Sequence, residues 1–160
     1  MPEPTIGAPA PDFSLPATGN RTISLTDLRG QTVVLYFYPK DSTPGCTQEG
    51  QDFQQLSGEF AALGAVILGV SRDSVASHEK FRATQGFSFD LLSDAQEAAC
   101  RAYDVIREKN MYGKTVLGIE RSTFLIDAAG MLRMSWRKVK VKDHAATVLE
   151  QLKSLQGNAE

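Results

Sequence analysis

The chain has 160 residues, 42% of them hydrophobic and 22% charged, with a formal net charge of −2. That length suits a single domain, residues 1–160, with a substantial core. The near-neutral balance gives no electrostatic reason for a nucleic-acid or membrane partner, and two cysteines are too few for a disulfide-stapled secreted framework.

Met1-Pro2-Glu3-Pro4-Thr5 lacks the basic and apolar parts of a secretory leader, and no run of about 18 apolar residues occurs, so a cytoplasmic location is expected. Pro2 to Pro16 reads as an extended lead-in with a short strand at Phe13-Ser14-Leu15. The turn at Thr18-Gly19-Asn20 returns the chain through Thr22-Ile23-Ser24-Leu25, giving an N-terminal β-hairpin. Thr26-Asp27-Leu28-Arg29-Gly30 reads as one helical turn closed by glycine. The run Val33-Val34-Leu35-Tyr36-Phe37 is continuously apolar and β-branched or aromatic, the pattern of a strand covered on both faces. Phe53, Leu56, Phe60 and Leu63 recur at three- and four-residue steps, which predicts one amphipathic helix from about Pro44 to Leu63, stopped by Gly64.

A second buried strand is predicted at Val66-Ile67-Leu68-Gly69-Val70. Asp73 or Ser74 can cap a helix that runs through Phe81 to Gln85 and ends at Gly86. A short strand at Phe89-Asp90-Leu91-Leu92 and a helix from about Ala95 to Tyr103 follow. The next predicted elements, Ser122–Asp127 and Met131–Trp136, flank Ala128-Ala129-Gly130 as a hairpin. Basic residues at Arg133, Arg137, Lys138, Lys140 and Lys142 read as the solvent side of that strand and turn. Val148, Leu149, Leu152 and Leu155 give a closing helix its apolar stripe, with Asp143 near its start. This order implies an α/β fold with a mixed central sheet and helices on both faces.

The segment Tyr36 to Thr47 carries the chemistry. An apolar strand runs into a Pro/Gly-rich turn, and the turn delivers Cys46 into the start of a helix. Unpaired backbone N–H groups and the positive end of the helix dipole gather there, so a sulfur is favoured as the nucleophilic thiolate. The plain alternative is a core cysteine, and position 46, seven residues before Phe53, falls toward the inward side. One cysteine in the segment excludes a C-x-x-C dithiol site, which argues against a thiol–disulfide oxidoreductase. Thr43 reads as a cap or turn hydroxyl that can also donate to a thiolate or a substrate oxygen. Pro39 and Pro44 shape the turn and remove backbone donors.

Glu49 lies in the first helical turn, where the dipole favours a carboxylate and where it can orient an arginine. Arg121, directly before the second strand pair, is the candidate: it either ends a strand at the surface or points across at Cys46 and a leaving oxygen. Cys100, among Ala98, Ala99 and Ala102, reads as a packed helix cysteine, the alternative being a disulfide partner for oxidised Cys46. His78 and His144 stand alone and read as solvated or core histidines. No Cys/His spacing resembles a zinc site, and no phosphate-loop motif occurs.

The run Tyr36-Phe37-Tyr38-Pro39-Lys40-Asp41-Ser42-Thr43-Pro44-Gly45-Cys46-Thr47, with its Pro-x-x-x-Thr-x-x-Cys spacing and distant Arg121, resembles the active-site signature of the peroxiredoxins. It is similar in particular to the bacterioferritin comigratory protein, or peroxiredoxin Q, subgroup. The likeness extends through Gly7–Phe13, Val70–Ser74, Asp90–Asp94, Tyr112–Lys114 and Arg121–Asp127. A thioredoxin-like α/β sandwich fits the predicted element order. The resemblance implies reduction of hydrogen peroxide and organic hydroperoxides without metal or haem, as antioxidant defence. It makes Cys46 the peroxidatic cysteine, Thr43 and Arg121 its activating partners and Pro39 the residue shielding the pocket. It also implies thioredoxin or a glutaredoxin as reductant, and a monomer with a weak dimer as the alternative. Many members of the subgroup carry a resolving cysteine five residues after the peroxidatic one, where this chain has Gln51; others place it on the following helix, where this chain has Arg82 and its neighbours. Two readings stay open: a one-Cys enzyme, reduced directly by an external thiol or through an intermolecular step, with Cys100 mainly structural, or Cys100 as a resolving residue reached by local unfolding.

Overall fold

The hairpin expected at the N-terminus forms from β1 (Ser14–Ala17) and β2 (Arg21–Ser24) and leads into a 3₁₀ turn (Leu25–Leu28) in the computed structural model, which describes residues 3–157. There follow β3 (Thr32–Phe37), α1 (Pro44–Gln55), α2 (Ser57–Ala62), β4 (Ala65–Ser71), α3 (Val75–Gln85), β5 (Asp90–Ser93) and α4 (Ala98–Ala102). The chain ends through β6 (Ile106–Met111), β7 (Lys114–Ile119), β8 (Ser122–Ile126), β9 (Leu132–Trp136) and α5 (His144–Gly157). Seven strands make one mixed sheet in the order β2-β1-β5-β4-β3-β8-β9. β3, β4 and β5 run parallel at its centre, and β1, β8 and β9 join antiparallel to their neighbours.

The apolar run of β3 is enclosed on both sides, which is why it lacks polar alternation. Val33, Leu35 and Phe37 face a cluster with Phe13, Leu68, Tyr103 and Phe124, whereas Val34, Tyr36 and Tyr38 face Phe53, Phe60, Phe81 and Val148. Helices α1, α2, α3 and α5 therefore cover one face, and α4 with the 3₁₀ turn covers the other. Fully enclosed side chains such as Leu35 and Phe53 each contribute about 1.5–3 kcal/mol of burial.

Three stretches differ from the sequence pattern. The helix expected from Pro44 to Leu63 breaks at Leu56, whose φ of −97° and ψ of 4° tighten the turn before two weak helix formers, Ser57 and Gly58. The helix expected from Ala95 begins only at Ala98, because Glu97 takes a left-handed φ of 63° and its N–H closes a turn onto Asp94 O. Between Tyr103 and Ser122 the chain forms the separate β6–β7 hairpin, turning at Tyr112-Gly113 with both φ values positive. Its strands carry Arg107, Glu108, Lys109 and Lys114 in place of an apolar run, so no buried-strand signal marks them. Among the described residues no helix is long and apolar enough to cross a membrane.

Candidate active site

The sheet register assembles the site at the carboxyl edge of the parallel strands, where α/β sheets leave a crevice. β3 ends at Phe37, Tyr38 N–H still bonds Val70 O at 3.0 Å, and the following turn leads to α1. Thr43 is the extended N-cap, Pro44 fills the first helical position, where no N–H is needed, and Thr47 N–H makes the first helical bond to Thr43 O at 2.9 Å. The amides of Gly45 and Cys46 precede that bond and so belong to the donor-rich end of the helix. Cys46 is the third residue of α1, only 2% exposed.

β8 runs antiparallel to β3 with Ser122 opposite Phe37, so Arg121 arrives beside the end of the same strand. Its Nη2 lies 3.5 Å from Cys46 Sγ, and its Nη1 donates to Glu49 Oε1 at 2.6 Å. A side chain at position 45 would place its Cβ 3.1 Å from that same Nη2, so glycine there opens the approach of the guanidinium to the sulfur. Burial pushes the Glu49 carboxyl up, to about 7, against the opposing pull of Arg121. Burial weighs against the charge on Arg121, yet Glu49 and Cys46 hold its pKa above the usual value. Glu49 Oε2 has no hydrogen-bond partner among the described residues. A cavity of about 530 Å³, lined by Arg107, Lys109, Glu120, Arg121 and Lys138, lies alongside.

Cys46, Glu49 and Arg121 thus come together in one contact chain. Thr43 is half-buried at the helix start, but its hydroxyl forms no cap bond: it donates to Lys40 O at 2.7 Å, which leaves the oxygen lone pairs free to accept. Pro39, also half-buried, opens the turn. Cys100 is not part of the group. It is fully buried in the cluster on the opposite face of the sheet from Cys46. Burial, then the neighbouring Asp94, pushes its thiol pKa far up, and Asp94 Oδ2 also accepts from its backbone N–H at 2.7 Å. His144 is buried 2.8 Å from Thr123 Oγ1, and burial followed by Arg121 lowers it to about 4.

Spacing gave no hint of one further group. His78, fully buried, meets Asp41 Oδ2 at 2.7 Å across 37 residues of sequence. Asp41 belongs to the turn before Cys46, so this contact joins that turn to α3; only the three-dimensional fold brings the pair together.

Residues 6–135 match the AhpC/TSA family. The chain is 57% identical over 156 residues to Peroxiredoxin Bcp of Xanthomonas campestris pv. campestris, covering 96% of this chain and 98% of that one. It is 50% identical over 150 residues to Peroxiredoxin Bcp of Bacillus subtilis, covering 94% and 96%. Among solved structures, a trapped intermediate/ligand complex of X. campestris bacterioferritin comigratory protein, studied for its alkyl peroxide reduction activity, superposes with a TM-score of 0.85 at 58% identity, covering 89% of this chain and 90% of that one. A variant of Xylella fastidiosa PrxQ superposes with a TM-score of 0.91 at 46% identity over the whole of both chains.

Proposed function

We infer the roles of individual residues from one premise: this chain belongs to the AhpC/TSA family and is a peroxiredoxin, a thiol-dependent peroxidase on a thioredoxin-like sandwich. The observation that carries the reading is the guanidinium of Arg121, held by Glu49 and set 3.5 Å from the sulfur of Cys46 at a helix start. Cys46 acts as thiolate and attacks the hydroxyl-bearing oxygen of hydrogen peroxide or an alkyl hydroperoxide. An S–O bond forms, the O–O bond breaks, and Cys46 becomes a sulfenic acid. The other oxygen leaves with the electron pair and takes a proton to become water or an alcohol. Negative charge moves from sulfur to the leaving oxygen during this step. Arg121 and the free amides at the start of α1 face that charge, so they stabilise the transition state more than the ground state.

Thr43 takes a role its geometry favours over the one expected from sequence. Its own proton is spent on Lys40 O, so its oxygen accepts the hydrogen bond of the peroxide O–H and orients the electrophilic oxygen toward sulfur. Thr43→Val keeps the shape and removes the acceptor. Its second-order rate constant with hydrogen peroxide is expected to fall about 10²-fold with little change in melting temperature; an unchanged rate in stopped-flow measurements would remove Thr43 from the mechanism. Pro39 in this reading shields the pocket from water.

The sulfenic acid is recycled by an external thiol, with thioredoxin or a glutaredoxin as the reductant class, in the reducing cytoplasm. One thiol forms a mixed disulfide with Cys46 and releases water, and a second thiol displaces Cys46. A one-Cys cycle is supported by what occupies the two resolving positions. Gln51 Nε2 donates to Gln85 Oε1 at 2.7 Å, and Arg82 Nε donates to Phe89 O at 2.9 Å. Cys100, behind the sheet, has its thiol held protonated. Mass spectrometry after one equivalent of peroxide is expected to find sulfenic or sulfinic acid on Cys46 alone. A Cys46–Cys100 disulfide would overturn the one-Cys cycle.

A further inference from the structure

The turn that carries Thr43 and Cys46 leaves the sheet at Tyr38 and rejoins regular structure only at Pro44. Within it Ser42 takes a left-handed φ of 63°, a conformation a serine rarely holds unaided. Asp41 supplies the restraint. Its backbone N–H donates to Asp73 Oδ2 at 2.9 Å, and its carboxylate accepts from Tyr38 OH at 2.6 Å and from Ser77 OH at 2.8 Å. The third partner is Nδ1 of His78, at 2.7 Å.

His78 is pinned at its other end as well, because Nε2 lies 2.8 Å from Leu92 O on β5. A carbonyl only accepts, so Nε2 carries a proton; the Asp41 oxygen facing Nδ1 makes a second close contact that needs a proton between the two atoms. Burial works to raise the Asp41 carboxyl, but the bonds from His78, Tyr38 and Ser77 hold it below the usual carboxylate range. The imidazole therefore bridges β5 to the turn, through a ring with no exposed surface. Nothing in the reaction described above uses it.

We propose that His78 is a positioning residue for peroxide reduction: by clamping Asp41 between β5 and α3, it fixes the turn on which Thr43 and Cys46 meet the substrate. This rests on Cys46 being the reacting sulfur. The energy at issue is one of placement. A displacement of about 1 Å at a reacting group costs on the order of 10²-fold in rate, and a clamp at Asp41 lies two residues from Thr43 and five from Cys46.

The experiment compares the intact protein with His78→Leu, which removes both polar ends, and His78→Asn, whose amide can keep a donor toward Asp41. Each is measured for the rate of Cys46 oxidation by hydrogen peroxide and for melting temperature. His78→Leu is expected to react about 10- to 100-fold more slowly, and His78→Asn to recover most of that loss even though it melts lower than the wild type. A purely structural role would lower the melting temperature of both without separating their rates. A folded His78→Leu protein that reacts at the wild-type rate, or a His78→Asn protein no faster than His78→Leu, would overturn the proposal. Should His78→Leu not fold, Tyr38→Phe deletes the bond from Tyr38 OH to Asp41 and its 3.5 Å contact with His78 Nδ1, and is expected to slow the reaction several-fold; a wild-type rate there overturns the proposal too. The underlying assignment fails separately, through turnover that persists without Cys46.

Discussion

Cys46→Ser is expected to reduce peroxide consumption to the rate of protein-free solution while leaving the fold intact. Serine fits the enclosed site left by a side chain only 2% exposed, so packing changes little. The chemistry changes completely, because a hydroxyl beside Arg121 is not a thiolate and cannot supply the sulfur that accepts the peroxide oxygen. Peroxide loss followed with a thiol donor present, together with a melting curve, checks both halves of the expectation. Turnover retained by a folded Cys46→Ser protein would end the assignment. In the wild type the same assay separates an enzyme from a redox sensor on the same fold. Repeated turnover marks the former, and one oxidation per chain without recycling marks the latter.

Arg121→Ala has the second largest expected effect, and it acts twice. Loss of the guanidinium removes the cation that faces the sulfur and, in the proposed mechanism, the leaving oxygen, and the rate constant with peroxide is expected to fall by about 10²- to 10³-fold. The substitution also strips Glu49 of its counter-charge. Leaving a buried carboxylate unpaired costs about 3–5 kcal/mol if it stays ionised, so Glu49 escapes the cost by taking a proton. The sign of the pH dependence follows. Its folded-state pKa is already raised from 4.5 to about 7, so the folded chain binds this proton more tightly than the unfolded chain does. That proton favours the fold at low pH, and the advantage is lost as pH rises from about 4.5 upward. Without Arg121 the loss continues to higher pH. The melting temperature of Arg121→Ala is therefore expected to approach that of the wild type near pH 5 and to fall furthest below it near pH 8. A gap that is constant across pH would show that Glu49 does not depend on this arginine. Arg121→Lys keeps charge but cannot reach both partners with a rigid fork, so it is expected to fall between the two.

Much of the fold could be read from periodicity because burial dictates it. β3 announces itself by five apolar residues in a row, and α5 by its stripe at Val148, Leu149, Leu152 and Leu155. The β6–β7 hairpin was invisible to the same rule. It stands apart from the seven-stranded sheet, and its strands mix charged residues with exposed apolar ones, so only the turn at Tyr112-Gly113 betrays it. The break at Leu56 was hidden because Phe53 and Phe60 both remain buried, and the apolar spacing runs straight through the kink.

The site divides along similar lines. Cys46 and Glu49 share a helical turn, and Arg121 opens a strand, so local sequence is enough to nominate them. Asp41 is one position of the signature run with no reading of its own, and His78 stands alone in the sequence. Their meeting is set by how β5 and α3 pack against the turn, and no local pattern records that.

The central sheet also stands as a wall between the two cysteine sulfurs of this molecule. On the proposed one-Cys cycle, a protein wired that way has no internal fuse. How long its oxidised form survives is decided outside the fold, by whether a reducing thiol or a second peroxide arrives first, and the second arrival drives the sulfur on toward sulfinic acid. On that cycle the barrier that sets Cys100 apart leaves Cys46 to report the balance of its surroundings.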